Sequence, residues 1–101
     1  MSRCKKCTYV ITFNRALCVK VHVRVGELTV DLRGIGCPYG STIAIQHFRN
    51  APIGSIVTFV LDDEECYLTL KRLFPLLGQR VVKDEVHGGT YKLSVLKVRL
   101  L

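Results

Sequence analysis

The sequence predicts an α+β fold. It is a two-layer α/β sandwich with a β-α-β-α-β-β core, both helices on one face of a mixed sheet, and an N-terminal β-hairpin extension. Three observations predict it. Apolar and polar residues alternate strictly over residues 17–25, which is the period of a half-buried strand. Two later segments carry apolar residues at helical spacing, each behind a strand pattern, and right-handed crossovers put both helices on the same face. The chain has 101 residues, 49% of them hydrophobic, enough for one domain around one core.

Residues 1–7 are mostly polar and basic and read as a tail. Residues 9–13 form a short strand, and Asn14-Arg15 a turn. In the next strand Leu17, Val19, Val21, Val23 and Val25 share one face, and Cys18, Lys20, His22 and Arg24 the other. Gly26-Glu27 follows, and Gly-X suits a type II′ hairpin turn, so residues 28–32 return as the partner strand. After a glycine-rich loop, Ala44, Ile45, Phe48 and Ala51 are spaced as in a helix, from about residue 38 to residue 50. Pro38 fits the first helical position, where an N–H would have no intrahelical partner. Pro52 and Gly54 end this helix.

Residues 56–61 are a nearly continuous apolar run, as in a central strand. Asp62-Asp63 stops it, and either residue suits the cap of the second helix. That helix carries Cys66, Leu70, Leu73, Phe74 and Leu77 on one stripe. Pro75 is expected to kink it or tighten its last turn, and Gly78 to close it. Residues 80–86, a turn at 87–90 and residues 91–99 make a final hairpin.

The net charge of +7 suits an anionic partner such as RNA or an acidic protein surface, and equally a solvated basic exterior. The positive residues are scattered, there is no tryptophan, and no RNA-reading aromatic motif is present. No apolar stretch follows the basic N-terminus, and the most apolar run, residues 51–61, is too short to span a bilayer. The expectation is a soluble cytoplasmic protein with no membrane partner. The five cysteines, Cys4, Cys7, Cys18, Cys37 and Cys66, are odd in number. Without a secretion signal they speak for reduced thiols in sulfur, redox or metal chemistry rather than a disulfide framework.

The loop GIGCPYG, residues 34–40, admits three readings. As a phosphate cradle, Gly34, Gly36 and Gly40 lie between strand and helix, with Asp62 near the place of a ribose-binding acid. Yet the chain is too short for a dinucleotide fold, and Pro38 removes a backbone donor. As a reactive thiol, Cys37 falls at the N-cap position with Pro38 opening the helix. Unpaired N–H groups and the positive end of the helix dipole then lower its pKa below the ordinary thiol value of about 8.5. Arg33 adds positive potential nearby, and Gly34 and Gly36 permit a turn that keeps the sulfur exposed. As a purely structural cap, cysteine is a poor choice beside serine or aspartate. The thiol reading accounts for the most residues.

The stretch VDLRGIGCPYG resembles the signature of the TusA-like (SirA/YedF) sulfur-carrier proteins. In these a strand with a Leu-Asp pair leads into an Arg-Gly-Leu loop and a Cys-Pro-x-Pro motif. VTFVLDDEE and LLGQRVVKDE are similar to further parts of that family, and the resemblance covers about residues 28–98. It implies a β-α-β-α-β-β sandwich, residues 28–101; residues 1–27, a tail and added strands, precede it as an N-terminal extension. It also implies a sulfurtransferase-type carrier, without a cofactor, that takes sulfane sulfur onto Cys37 as a persulfide. The donor would be a cysteine desulfurase or a rhodanese-like protein, and the sulfur would pass to an acceptor protein. Asp31, Arg33, Gly34, Gly36 and Pro38 would support the site. Two features depart from the pattern. Gly40 stands where the family has its second proline, and the N-terminal extension lies outside the pattern. That extension suits partner binding or a homodimer through its strands.

Cys66 lies at the same sheet end as Cys37, which makes it either a second thiol or an ordinary buried cysteine on the core stripe. Cys4 and Cys7, with Cys18 and His22, contain half of a zinc motif. Cys18 and His22 are roughly 13 Å apart along a strand, too far for one tetrahedral ion without a bulge, so no metal is expected. His47 and His87 read as surface residues. The alternative function is a non-catalytic RNA- or protein-binding module of the same fold, like the C-terminal domain of translation initiation factor 3. Cys37 discriminates, since only a carrier needs it.

Overall fold

The computed structural model describes residues 5–12, 15–24, 26–36 and 39–100. For the first two segments this means the backbone and the side chains of Val21 and Val23. The elements are β1 (Lys5–Thr12), β2 (Arg15–Arg24), β3 (Glu27–Asp31), α1 (Tyr39–Asn50), β4 (Ile56–Leu61), α2 (Glu64–Leu76), β5 (Arg80–His87) and β6 (Thr90–Leu96). They form one mixed sheet in the order β1-β2-β3-β4-β6-β5. β3 and β4 are parallel, joined through α1, and every other neighbouring pair is antiparallel. This is the expected two-layer sandwich with its added hairpin.

The alternating pattern of β2 sets its register: Val21 lies opposite Val30 and Val23 opposite Leu28. The hairpin turns one residue earlier than Gly26-Glu27, because Glu27 is already paired with Arg24. Gly26 has φ +74°, the left-handed conformation that glycine adopts without penalty. β1 takes in Lys5–Cys7, which the sequence alone assigns to a tail.

Val30, Val57, Phe59, Leu61, Leu93 and Val95 of the sheet meet Ile43, Ala44, Phe48, Cys66, Leu70 and Phe74 of the helices, all fully buried. Phe74 is the common contact. Its ring stacks on Phe59 at 5.5 Å and meets Phe48 tilted at 4.8 Å, joining α2 to β4 and α1. Leu77 packs at the margin of this core and Leu73 is half-buried outside it, whereas Tyr67 joins it.

The ends of the helices are fixed by different chemistry. Asp63 caps α2, its Oδ1 accepting the Glu65 N–H at 3.1 Å. Pro75 stays inside the helix, and the last turn tightens as expected. The Leu77 N–H is shared by the Leu73 and Phe74 carbonyls. The Gly78 N–H then bonds Pro75 and the Gln79 N–H bonds Phe74, with Gly78 at φ +80°. That is the Schellman arrangement, which satisfies carbonyls the helix leaves over.

At the far end of α1, Lys97 is 2% exposed, and its Nζ donates to the carbonyls of Phe48 (3.2 Å), Arg49 (2.7 Å) and Ala51 (2.7 Å). Three ammonium protons thus meet three helix-end carbonyls, where the macrodipole also favours a cation. This ends β6 at Leu96 rather than residue 99: Lys97 leaves the ladder to reach beneath α1, and its backbone bonds Gly54 and Ser55.

α2 meets the β5 edge through a polar cluster. Tyr67 and Lys71 both bond the Asp84 carboxylate, and Tyr67 stacks on Tyr91 at 4.6 Å. Lys71 first, then Tyr67, hold the Asp84 carboxyl below the usual carboxylate range. A carboxylate with a depressed folded pKa stabilises the fold above its unfolded value of about 3.9. It loses that contribution as pH falls through the folded value. Asp84→Asn is therefore expected to flatten the acid side of the stability profile below about pH 4, read as the urea midpoint against pH. An unchanged acid slope would mean that Asp84 contributes nothing there.

Candidate functional site

The parallel pairing of β3 and β4 brings the carboxyl ends of both strands, and the start of each following helix, to one end of the sheet. The glycine loop leaves β3 there, and the segment Asp62–Cys66 leaves β4 beside it. The Leu32 N–H bonds the Val60 carbonyl at 2.7 Å, carrying the pairing past the last residue of β3, and the buried Leu32 side chain anchors the loop's root.

Each glycine of the loop meets a different side chain from the segment that starts α2. The Gly34 N–H donates to both carboxylate oxygens of Asp62, at 3.0 and 3.1 Å, and Gly34 has φ +84°. At Gly36 the requirement is steric, since a Cβ would lie 2.9 Å from Asp63 Oδ2. At Gly40 a Cβ would lie 2.8 Å from Cys66 Sγ and 3.1 Å from the Ile35 carbonyl oxygen. The Gly40 N–H also bonds the Gly36 carbonyl at 2.9 Å, a donor that proline would lack. The departure from the second family proline thus has a local cause: position 40 has neither the space nor the spare donor for a proline ring.

Arg33 folds back on Asp31. Its Nε and Nη2 engage the two carboxylate oxygens at 3.0 and 2.8 Å, and its own N–H bonds Asp31 Oδ1 at 3.1 Å. The hydrogen bond and charge of Asp31, with a smaller contribution from Asp62, raise the guanidinium pKa. Its positive charge is therefore shared with Asp31 rather than directed at the loop alone. Asp31, Arg33, Gly34 and Gly36 are gathered at this end as the sequence suggests. Cys37 and Pro38, the expected N-cap and first helical residue, lie outside the described residues.

The phosphate-cradle reading does not survive this geometry. The Gly34 N–H that such a loop would offer already binds Asp62, and a second carboxylate, Asp63, abuts Gly36. Asp63 is the site residue that sequence reasoning assigns only to capping. The available signal is an acidic pair ending a strand at the same sheet end as a glycine loop.

Cys66 is fully buried. Of the metal candidates, Cys4 lies outside the described residues. β-Ladder register sets Cys7 opposite Lys20, Cys18 opposite Tyr9 and His22 opposite Lys5, so no two of these positions are paired. Among the described residues no cluster suited to a metal ion occurs. His87 is exposed, but His47 is not the surface residue expected. Its Nε2 is buried without a hydrogen-bond partner among the described residues, and burial lowers its pKa. It borders a cleft of about 260 Å³ by Asn50 and Leu28, at the end of α1 remote from the glycine loop. No helix among the described residues is long and apolar enough to cross a membrane.

Two comparisons bear on the site. The family model described as Sulfurtransferase TusA matches residues 28–97, which includes β3, the whole glycine loop and the Asp62–Cys66 segment. No curated protein matches the chain.

Proposed function

Because this chain belongs to the TusA sulfurtransferase family, whose members pass sulfur between partner proteins, we propose that it carries sulfane sulfur as a persulfide on Cys37. The observation that carries the reading is the family match across the loop in which Cys37 stands. The Cys37 thiolate attacks the outer sulfur of a donor's cysteine persulfide. The new S–S bond forms as the donor's S–S bond breaks, the donor leaves as its thiolate, and Cys37 holds the persulfide. An acceptor thiolate then repeats the exchange in the other direction. The step needs no cofactor. Its donor is a cysteine desulfurase or a rhodanese-like protein, and a reducing cytoplasm keeps the thiol available.

Two structural facts support this reading. The points on either side of Cys37, Gly36 and Gly40, are joined by a backbone hydrogen bond, and α1 follows directly. A thiolate before a helix start is favoured by the dipole, and a persulfide anion equally so. Residues 28–101 form the carrying unit, and residues 1–27 an added element for a partner or a second copy.

The test is direct. The protein, incubated with a cysteine desulfurase and cysteine, should gain about 32 Da, one sulfur atom, on the peptide containing Cys37, and a thiol reductant should remove it. A gain found only on Cys4 or Cys7 would sink the assignment. No gain from any donor class, together with salt-dependent RNA affinity indifferent to Cys37, would replace it with the binding-module reading.

A further inference from the structure

The glycine loop occupies one end of the sheet, and the surface at the other end, where α2 runs out, is of a different kind. Leu76 closes that helix and is 77% exposed, and Leu100 is 79% exposed, the two highest values for a large apolar side chain among the described residues. Val98 adds a third at 41%. Gln79 brings them to one corner. Its buried side chain accepts the Val98 N–H at 2.9 Å and donates to the Arg99 carbonyl at 3.1 Å, which pins the segment after β6 beside the end of α2.

Single exposed leucines are ordinary on a protein surface, but a group of them rimmed by charge of one sign is not. Arg72 stands one turn before Leu76, Arg80 opens β5, and Arg99 crosses Gly78 with its Nε 3.0 Å from where a Cβ would stand. All three arginines are exposed, and none is in an ion pair among the described residues. The acids of the neighbouring elements lie elsewhere. Glu64 and Glu65 are at the far end of α2, and Asp84 and Glu85 in the second half of β5. Glu27 is at the same end of the sheet, but the rungs Glu27–Ile56, Ile56–Leu96 and Leu96–Arg80 set it three strands from Arg80, about 14 Å away.

We infer that this corner docks an acidic, apolar-centred segment of a partner protein, such as one face of an amphipathic helix with carboxylates beside its leucines. The apolar centre covers Leu76, Val98 and Leu100. The carboxylates reach Arg72, Arg80 and Arg99, whose planar guanidinium groups take a carboxylate through two parallel hydrogen bonds. A second copy of the chain would set like charges against each other. Nucleic-acid phosphates would meet the arginines but leave the leucines in water, and no exposed aromatic residue occurs in 72–80 or 96–100 on which a base could stack. The inference stands on the composition of the corner and not on the carrier reading. A partner held here leaves the end of the sheet with Gly34 and Gly36 uncovered.

The experiment titrates the isotope-labelled chain, followed by its amide NMR signals, with a synthetic amphipathic helix of leucine and glutamate. A second titration uses the same peptide with lysine in place of glutamate. The glutamate peptide should move the signals of residues 72–80 and 96–100 and leave those of 34–36 in place. It should bind about tenfold more tightly than the lysine peptide, and less tightly as salt is raised, because exposed ion pairs are screened. Leu76→Ser should weaken it about tenfold through the lost apolar contact. Arg72→Glu combined with Arg80→Glu should reverse the preference, so that the lysine peptide binds the better. The spectrum of the buried core reports whether each variant is folded. If the charge-reversed variant does not fold, Leu76→Ser decides. No shift with either peptide, equal binding of the two, or an unchanged preference in the charge-reversed variant would overturn the inference. So would tighter binding at the same residues to polyuridylate or to phosphatidylglycerol vesicles, which would assign the corner to RNA or to a lipid surface. No sulfur donor enters the measurement, so failure here is distinct from the absence of a persulfide.

Discussion

Cys37→Ser is expected to abolish sulfur loading outright, with no adduct of about 32 Da after incubation with a donor that loads the parent chain. The chemistry allows no intermediate outcome. A serine hydroxyl stays protonated at neutral pH and cannot hold sulfane sulfur, whereas a thiolate exchanges with a persulfide at once. Serine is close to cysteine in size and is itself a favoured residue before a helix. Stability should therefore stay within about 0.5 kcal/mol of the parent, measured by urea unfolding. Cys4, Cys7, Cys18 and Cys66 all remain in this variant. A residual adduct on one of them would locate the chemistry elsewhere, and Cys66→Ala should still load, since its buried thiol is not the sulfur's carrier.

Lys97→Met should lower folding stability by about 3 kcal/mol. Methionine is unbranched like lysine, one atom shorter, and offers no donor. The carbonyls of Phe48, Arg49 and Ala51 at the end of α1 would lose a common partner in a buried or part-buried place, Phe48 keeping only the Ala51 N–H. A buried acceptor left without a partner costs roughly 1–3 kcal/mol, and relaxation of the helix end recovers part of the sum. The measurement is the urea midpoint with an unchanged slope. A loss under about 1 kcal/mol would mean that water enters to replace the ammonium. Loading on Cys37 should survive, because the loop is held at the opposite end of α1.

The parts of this fold that are legible in the amino-acid sequence are those where one local rule acts alone. The alternation of residues 17–25 announces β2, glycines mark the turns, and the order of strands and helices implies the layers. What escapes is set by partners far away in sequence. Gly36 has no unusual backbone angle, and only Asp63 explains it. Lys97 falls inside the expected last strand, residues 91–99, and no local pattern shows that it leaves the ladder for the end of α1. His47 misleads by its type: it falls on the stripe of Gly40, Ile43, Ala44 and Phe48, the buried face of α1, so periodicity could have found it. The hairpin turn shifts by one residue because glycine suits either central position, and pairing across β2 and β3 decides between them. At the candidate site the glycines and Asp31 are legible as a group. The matching of Gly40 to Cys66 is not, because no local pattern links positions 26 residues apart.

The pairing of β2 with β3 bears on any shortened form of the chain. Cut before Glu27, the protein would keep every residue of the family match but expose the outer border of β3. That border, Glu27-Leu28-Thr29-Val30-Asp31, has no proline or bulge, and its charges stand only at its ends. The opposite border is protected: β5 carries Arg80, Lys83, Asp84 and Glu85 and is bent by an irregularity between Val81 and Lys83. An open, straight, apolar-centred strand recruits other strands. The hairpin thus acts as a stopper on an adhesive rim, and a truncated chain would polymerise through that rim while retaining the loop that bears Cys37.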